Sequence, residues 1–281
     1  MDIVNDAMQM REWSRAQKKQ GRSIAFVPTM GCLHQGHLSL IDLAAASAEA
    51  VVVSIFVNPL QFGPTEDFAK YPRPFDSDAD LCRQHAVAAL FAPSMDGFYA
   101  GDHSVYVEEN VLSTGLCGKS RPGHFRGVTT VVCKLLNIVE PDIAVFGSKD
   151  AQQVAVIKRM VRDLNMPQKI LTGAVVREED GLAMSSRNRY LSASHRQQAA
   201  GIYRGLVAAE KLFKSGQRNA VALIAHFTNE LSAHAPDARL EYAEIVNLQT
   251  MESLIAVEVP AVLAVAVKIG STRLIDNIEL K

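Results

Sequence analysis

The run Ala50 to Val57, AVVVSIFV, is continuous, β-branched and apolar, and it ends at Asn58-Pro59. A stretch of this kind suits a strand of a parallel sheet covered on both faces. Shorter apolar runs at Ser23 to Val27, Ala86 to Ala92, Ile143 to Phe146 and Ile170 to Val176 alternate with helical stretches at Gly36 to Ala46, Val128 to Val139 and Ala151 to Leu164. The alternation predicts an α/β fold built on an open, doubly wound parallel sheet. Ligands of such sheets sit beyond the carboxyl ends of the strands, so the residues following Val27, Val57, Phe146 and Val176 are where function is to be sought.

Past Val176 the character changes. A polar loop, REEDGLAMSSRNR, leads to helical stretches at His195 to Lys214 and Ala220 to Ala233, then to strand-like runs at Leu240 to Val246 and Ala261 to Ile269. Gly270-Ser271 is a hairpin-turn candidate. The pattern predicts a second, smaller α+β domain, dividing the chain at 1–176 and 177–281. For 281 residues, two domains is also the expectation from length.

The 29 Lys and Arg nearly balance 30 Asp and Glu, so net charge argues for neither a nucleic-acid nor a membrane surface. The four cysteines, Cys32, Cys82, Cys117 and Cys133, form no CxxC pair and no metal-ligand spacing. They read as reduced thiols of a cytoplasmic protein. The start, MDIVNDAMQM, carries acids where a signal peptide carries bases, and no apolar run approaches the roughly 20 residues of a membrane span.

Chemistry-bearing residues fall at the predicted strand ends. His34-Gln35-Gly36-His37 stands at a turn into a helix, where backbone N–H groups and the helix dipole favour anions. Its imidazoles, one helical turn apart, could both act as neutral donors to a phosphate; alone, such a pair equally describes two surface histidines. Zinc is a further reading, but no nearby Cys or carboxylate pattern completes a shell, and no metal is assigned. Gln61, in Asn58-Pro-Leu-Gln-Phe62, offers an amide that donates and accepts, as a hydroxy acid requires. Ser120 to Gly127 gathers Arg121, His124 and Arg126 before a helix, in the manner of a carboxylate or phosphate site or of a solvated basic loop. Gly147-Ser148-Lys149-Asp150 repeats the strand-to-helix geometry without a Walker pattern. Lys149 could neutralise phosphate charge, and Asp150 could cap the helix or meet magnesium through water. Ser185, Ser186 and Arg187 form a compact phosphate-binding set, although such a triplet is also an ordinary loop sequence.

The order of these pieces resembles the pantothenate synthetase family. The likeness is carried by Pro28-Thr-Met-Gly, His34-x-Gly-His37, Ser54-Ile-Phe-Val-Asn-Pro-x-Gln-Phe62, Arg121-Pro-Gly-His-Phe-Arg-Gly-Val128, Lys149-Asp-x-Gln-Gln153 and Asp180-Gly-Leu-Ala-Met-Ser-Ser-Arg-Asn188. It runs from about Ser23 to Leu191; the remaining tail agrees in size and pattern. HxGH alone would indicate only the wider nucleotidyltransferase superfamily. The resemblance implies a Rossmann-like first domain that binds ATP and pantoate, and a C-terminal lid domain. It places Met30, Gly31, Cys32, Leu33, His34, Gln35, Gly36 and His37 at ATP, together with Gly147, Ser148, Lys149, Asp150, Val176, Met184, Ser185, Ser186 and Arg187. His37, His34 and Lys149 would be catalytic, with His37 the family's assigned proton donor. Gln61 and Gln153 would bind pantoate, and Asn58, Tyr71, Arg121 and His124 would line the substrate pocket.

The implied activity joins pantoate to β-alanine with ATP and Mg2+ through a pantoyl adenylate, in a homodimer. Two other functions share part of the pattern: a nucleotidyltransferase that stops after moving a nucleotide, and a nucleotide-binding module without chemistry. Three positions depart from the family's pattern. Ser148 stands for the usual Glu, Ala151 for an aromatic residue, and Phe98-Tyr99-Ala100 for Met-Tyr-Pro.

Overall fold

The computed structural model describes residues 1–64 and 66–281. In chain order the elements are β1 (Asp2–Val4), α1 (Ala7–Lys19), β2 (Ile24–Thr29), α2 (Gln35–Ala45), β3 (Ala50–Ile55), α3 (Phe75–Gln84), β4 (Ala89–Phe91), α4 (Met95–Phe98), α5 (Leu116–Ser120), α6 (His124–Val139), β5 (Ile143–Gly147), α7 (Ala151–Asp163), β6 (Lys169–Gly173), α8 (Ala193–Lys214), α9 (Ala220–His234), β7 (Ala238–Asn247), β8 (Ala261–Ile269) and β9 (Thr272–Leu280). They divide into two compact units, Met1–Glu109 with Arg121–Ser148 and Val156–Ala174, and Asn110–Ser120 with Lys149–Ala155 and Val175–Lys281.

The first unit holds a six-stranded sheet in the order β1-β4-β3-β2-β5-β6, parallel throughout. Both faces are covered, as the apolar runs require. Ala25, Val27, Val51 and Val53 pack with Leu38 and Ile41 of α2 and Ala79 and Cys82 of α3. Ile24, Phe26 and Val52, pointing the other way, are equally buried. From β2 the chain builds outward through β3 and β4, then returns to add β5 and β6 on the other side. The strand order therefore reverses between β2 and β5, and in such sheets the carboxyl ends of the strands at that point are where ligands bind.

Several boundaries differ from the sequence expectation for local reasons. β2 continues through Pro28, because its ladder with β5 ends at Phe26 and that side asks nothing of a residue without N–H. The run from Ala86 yields a strand only at Ala89, since Ala86 has φ 54° and Val87 still bonds back to Cys82 of α3. The last run of the sheet ends at Gly173, which leaves Val176 beyond it. β1, α1 and α3 are not marked by the apolar pattern at all.

The second unit is built on the antiparallel sheet β7-β8-β9. Its core joins Ile202 and Leu206 of α8, Leu223 and Phe227 of α9, and Leu263, Val265 and Val267 of β8. Gly270 turns the β8–β9 hairpin at φ 58°.

Candidate active site

The carboxyl end of β2 is shaped before any histidine appears. Thr29 Oγ1 donates to Ser54 O at 2.7 Å and accepts from Gly31 N at 3.0 Å. Gly31 (φ 79°) and Cys32 (φ 52°) then turn the chain through the left-handed region. A side chain at Gly31 would also meet Asp78 Oδ2 and Ile55 Cγ2 at 2.9 Å, so glycine is required there twice over. The turn is held by Asp78 of α3, which is 1 % exposed. Its two oxygens accept from Cys32 N at 2.7 Å and Leu33 N at 2.8 Å. Sequence reasoning missed Asp78; its only mark is to be one of two acids in the first turn of α3.

His34 is the N-cap of α2, extended at φ −146°, and its Nδ1 accepts from Gly36 N at 3.1 Å. A nitrogen that accepts carries no proton, so the neutral ring has its proton on Nε2. The His34 and His37 ring centroids lie 4.1 Å apart. Two imidazoles thus sit side by side at the positive end of a helix, beside the point where the strand order reverses. That is an arrangement suited to phosphate.

The carboxyl end of β3 converges on Gln61. Asn58, 1 % exposed, donates from Nδ2 to Gly127 O at 3.0 Å and to Gln61 Oε1 at 3.1 Å. Gln61 Nε2 in turn donates to Met30 Sδ at 3.2 Å, which ties this group to the β2 turn. The Gln61 carbonyl is gripped separately. His124 Nδ1 lies 2.9 Å from it and Arg121 Nη2 donates to it at 3.1 Å. Arg121 Nη1 lies 2.9 Å from His124 Nε2, so that nitrogen is the acceptor and Nδ1–H is the donor. The Arg121 fork is filled by Glu66, both of whose oxygens lie 2.7 Å from it. Burial raises the Glu66 carboxyl, but the Arg121 guanidinium, with the Gly63 backbone and His124, outweighs this and holds it below the usual range. Nothing in the sequence marks Glu66 as the partner. Tyr71 is buried, its ring centroid 6.0 Å from that of Phe62.

Of the residues around β5, Gly147 and Ser148 belong to the first unit, while Lys149, Asp150 and Gln153 belong to the second with Val176 and Met184 to Arg187. Lys149 O accepts from Asn277 Nδ2 of β9 at 2.9 Å. The neighbouring Gln152 has its amide consumed internally, by Leu112 O, Gly115 O and Cys117 N. Gln153 is half-buried on the same helical turn. Met184 N donates to Val176 O at 3.0 Å, bringing together two residues expected at ATP. Arg177 braces the base of this loop, forking onto Asp276 at 2.6 and 3.0 Å. Arg196 binds Glu178 and Asp180 at 2.6 Å each, and its guanidinium holds the Asp180 carboxyl low. Ser185 Oγ accepts from Arg187 N at 3.3 Å and opens the turn Ser186–Tyr190. Asp276-Asn277 is a buried polar pair in a strand that also carries Thr272, Arg273 and Glu279, so no break in an apolar run marks it in the sequence.

The geometry has counterparts among known proteins. A pantothenate synthetase of Thermotoga neapolitana is 49 % identical over 277 residues, covering 99 % of each chain. The crystal structure of pantothenate synthetase from Thermus thermophilus matches with a TM-score of 0.94 at 40 % identity, covering 100 % of this chain and 99 % of that one. A pantoate-β-alanine ligase from Francisella tularensis, complexed with β-γ ATP and β-alanine, matches with a TM-score of 0.82 at 34 % identity over 99 % and 97 % of the chains. The family profile for pantoate-β-alanine ligase matches residues 2–279, nearly the full length, and with both units accounted for in solved relatives the chain belongs to the pantoate-β-alanine ligase family.

Proposed function

We propose that this chain performs its family's ligation, joining pantoate to β-alanine with ATP, by way of a bound pantoyl adenylate. A pantoate carboxylate oxygen attacks the α-phosphorus and pyrophosphate leaves. The β-alanine amine, unprotonated, then attacks the acyl carbon, and AMP departs with the electron pair of the broken C–O bond. The products are pantothenate, AMP and pyrophosphate.

The observation that carries this reading is the His34 tautomer. With Nδ1 committed to Gly36 N–H, Nε2–H is a donor fixed beside His37 at the start of α2, and donors aimed at developing charge stabilise a phosphoryl transition state most. Met30 to His37 would border the nucleotide. Gln61, with Asn58, Tyr71, Arg121 and His124 around it, and Gln153 would take pantoate. Lys149 and the hydroxyls and guanidinium of Ser185, Ser186 and Arg187 supply further phosphate-binding groups on the second unit. Magnesium would come with ATP as part of that substrate, and Asp150 would be a carboxylate able to meet it through water. By its likeness to the family the chain is inferred to act as a homodimer in the cytoplasm. The test is product analysis: AMP should appear in step with pantothenate only when ATP, pantoate and β-alanine are all present. ADP as the stoichiometric product would contradict the mechanism.

A further inference from the structure

A glutamine amide can present either its oxygen or its NH2 to a ligand, and the two choices recognise opposite chemistry. Around Gln61 the choice is made by groups that allow only one answer. Leu60 N is solely a donor and lies 3.3 Å from Asn58 Oδ1. Gly127 O is solely an acceptor and lies 3.0 Å from Asn58 Nδ2. The Asn58 amide therefore has one orientation, and its Nδ2 points to Gln61 Oε1 at 3.1 Å. On its other side Asn58 Oδ1 receives the Tyr99 hydroxyl at 2.9 Å, and because that oxygen can only accept, Tyr99 must donate.

We propose that Tyr99 is a positioning residue for substrate. Its hydroxyl adds a third hold to the Asn58 amide already oriented by Leu60 N and Gly127 O, and so steadies the contact that keeps the oxygen of Gln61 inward and its NH2 toward pantoate's carboxylate or hydroxyl oxygens. The inference rests on the reading of Gln61 as a pantoate-binding residue.

The rest of the surroundings fit this role. Burial, with Tyr106 nearby, holds the Tyr99 phenol above its usual value, so the hydroxyl keeps its proton at any working pH. Lys134 Nζ stands 5.3 Å from the Tyr99 ring centroid and 5.1 Å from that of Phe98, which fixes the ring from its face without using the hydroxyl. Among the described residues, Gln61 Nε2 meets the Met30 thioether, at 3.2 Å. Sulfur of this kind is a weak acceptor, easily surrendered for a substrate oxygen.

Tyr99→Phe removes the hydroxyl and keeps the ring, its packing and its cation. Steady-state kinetics should show the pantoate KM raised about fivefold to tenfold, the scale of one lost hydrogen bond. ATP KM, kcat and the melting temperature should stay near those of the parent. In a Gln61→Ala background, where pantoate KM is already raised, the same change should add nothing, because Tyr99 acts through Gln61. A Gln61→Ala variant with unaltered pantoate KM would overturn the pantoate reading and this inference with it. A raised KM in Gln61→Ala but an unchanged one in Tyr99→Phe would overturn the inference alone. Equal shifts in both KM values together with a lower melting temperature would show Tyr99 to be structural, and would also overturn it.

Discussion

Asp78 binds two consecutive amides, Cys32 N and Leu33 N, with its two oxygens. An asparagine has one oxygen to offer and would set its NH2 against the other N–H. Asp78→Asn should therefore cost about 1–3 kcal/mol, the range for a buried donor left without its partner. It should also raise ATP KM by loosening the turn before His34. An unchanged melting temperature and ATP KM would show that the turn holds without it. Glu66 makes a second residue-level prediction, and here pH enters. Its carboxyl is held below the usual range when folded, so its stabilising contribution is complete above the ordinary carboxylate value and is lost as pH falls through the depressed folded one. Glu66→Gln should lower the melting temperature at neutral pH, and the gap from the parent should shrink below about pH 4. A gap that widened in acid would reverse the assignment. Neither residue was legible in the sequence: Asp78 reaches a turn 46 positions away, Glu66 an arginine 55 away, and no local pattern encodes such a distance. His34, His37 and Gln61 were legible because each closely follows a buried strand.

At the scale of elements, apolar runs announced β2, β3 and β5 because both faces of the sheet are buried and nearly every residue in them is apolar. The same logic explains what stayed hidden. α1 buries only Met10, Ser14 and Gln17, and α3 only Asp78, Ala79 and Cys82, so neither carries a readable apolar stripe. β1 has three residues, too few for a period. The packing of α6 on the turn Pro59–Gln61 was equally invisible, though it positions the Gln61 amide. Gly127 permits it: a Cβ there would overlap the Leu60 carbonyl and the backbone nitrogen of Gln61. Gly127→Ala should push that turn away and break the Asn58 Nδ2 bond to Gly127 O, at a cost of about 1–3 kcal/mol, typical of overpacking. A thermal melt with pantoate titration would check it; full pantoate affinity in a stably folded variant would mean that the close approach is dispensable.

For the whole chain, the order of strand ends and the motifs set on them lead to one chemical claim, that a carboxylate is activated as an adenylate before any amine is needed. The two units each hold part of the proposed donor set, His34 and His37 on the first, Lys149 and Arg187 on the second. That partition was only partly legible, because Lys149 joins the second unit through a hydrogen bond from Asn277, 128 residues away. The most direct test omits β-alanine and follows labelled pyrophosphate into ATP. With pantoate and magnesium present, exchange should occur, since the first half-reaction is reversible while its product stays bound. Without pantoate it should vanish, and His37→Gln should slow it by roughly a hundredfold or more, as expected for a lost transition-state donor. Net pantothenate synthesis with no such exchange, accompanied by ADP instead of AMP, would contradict the account.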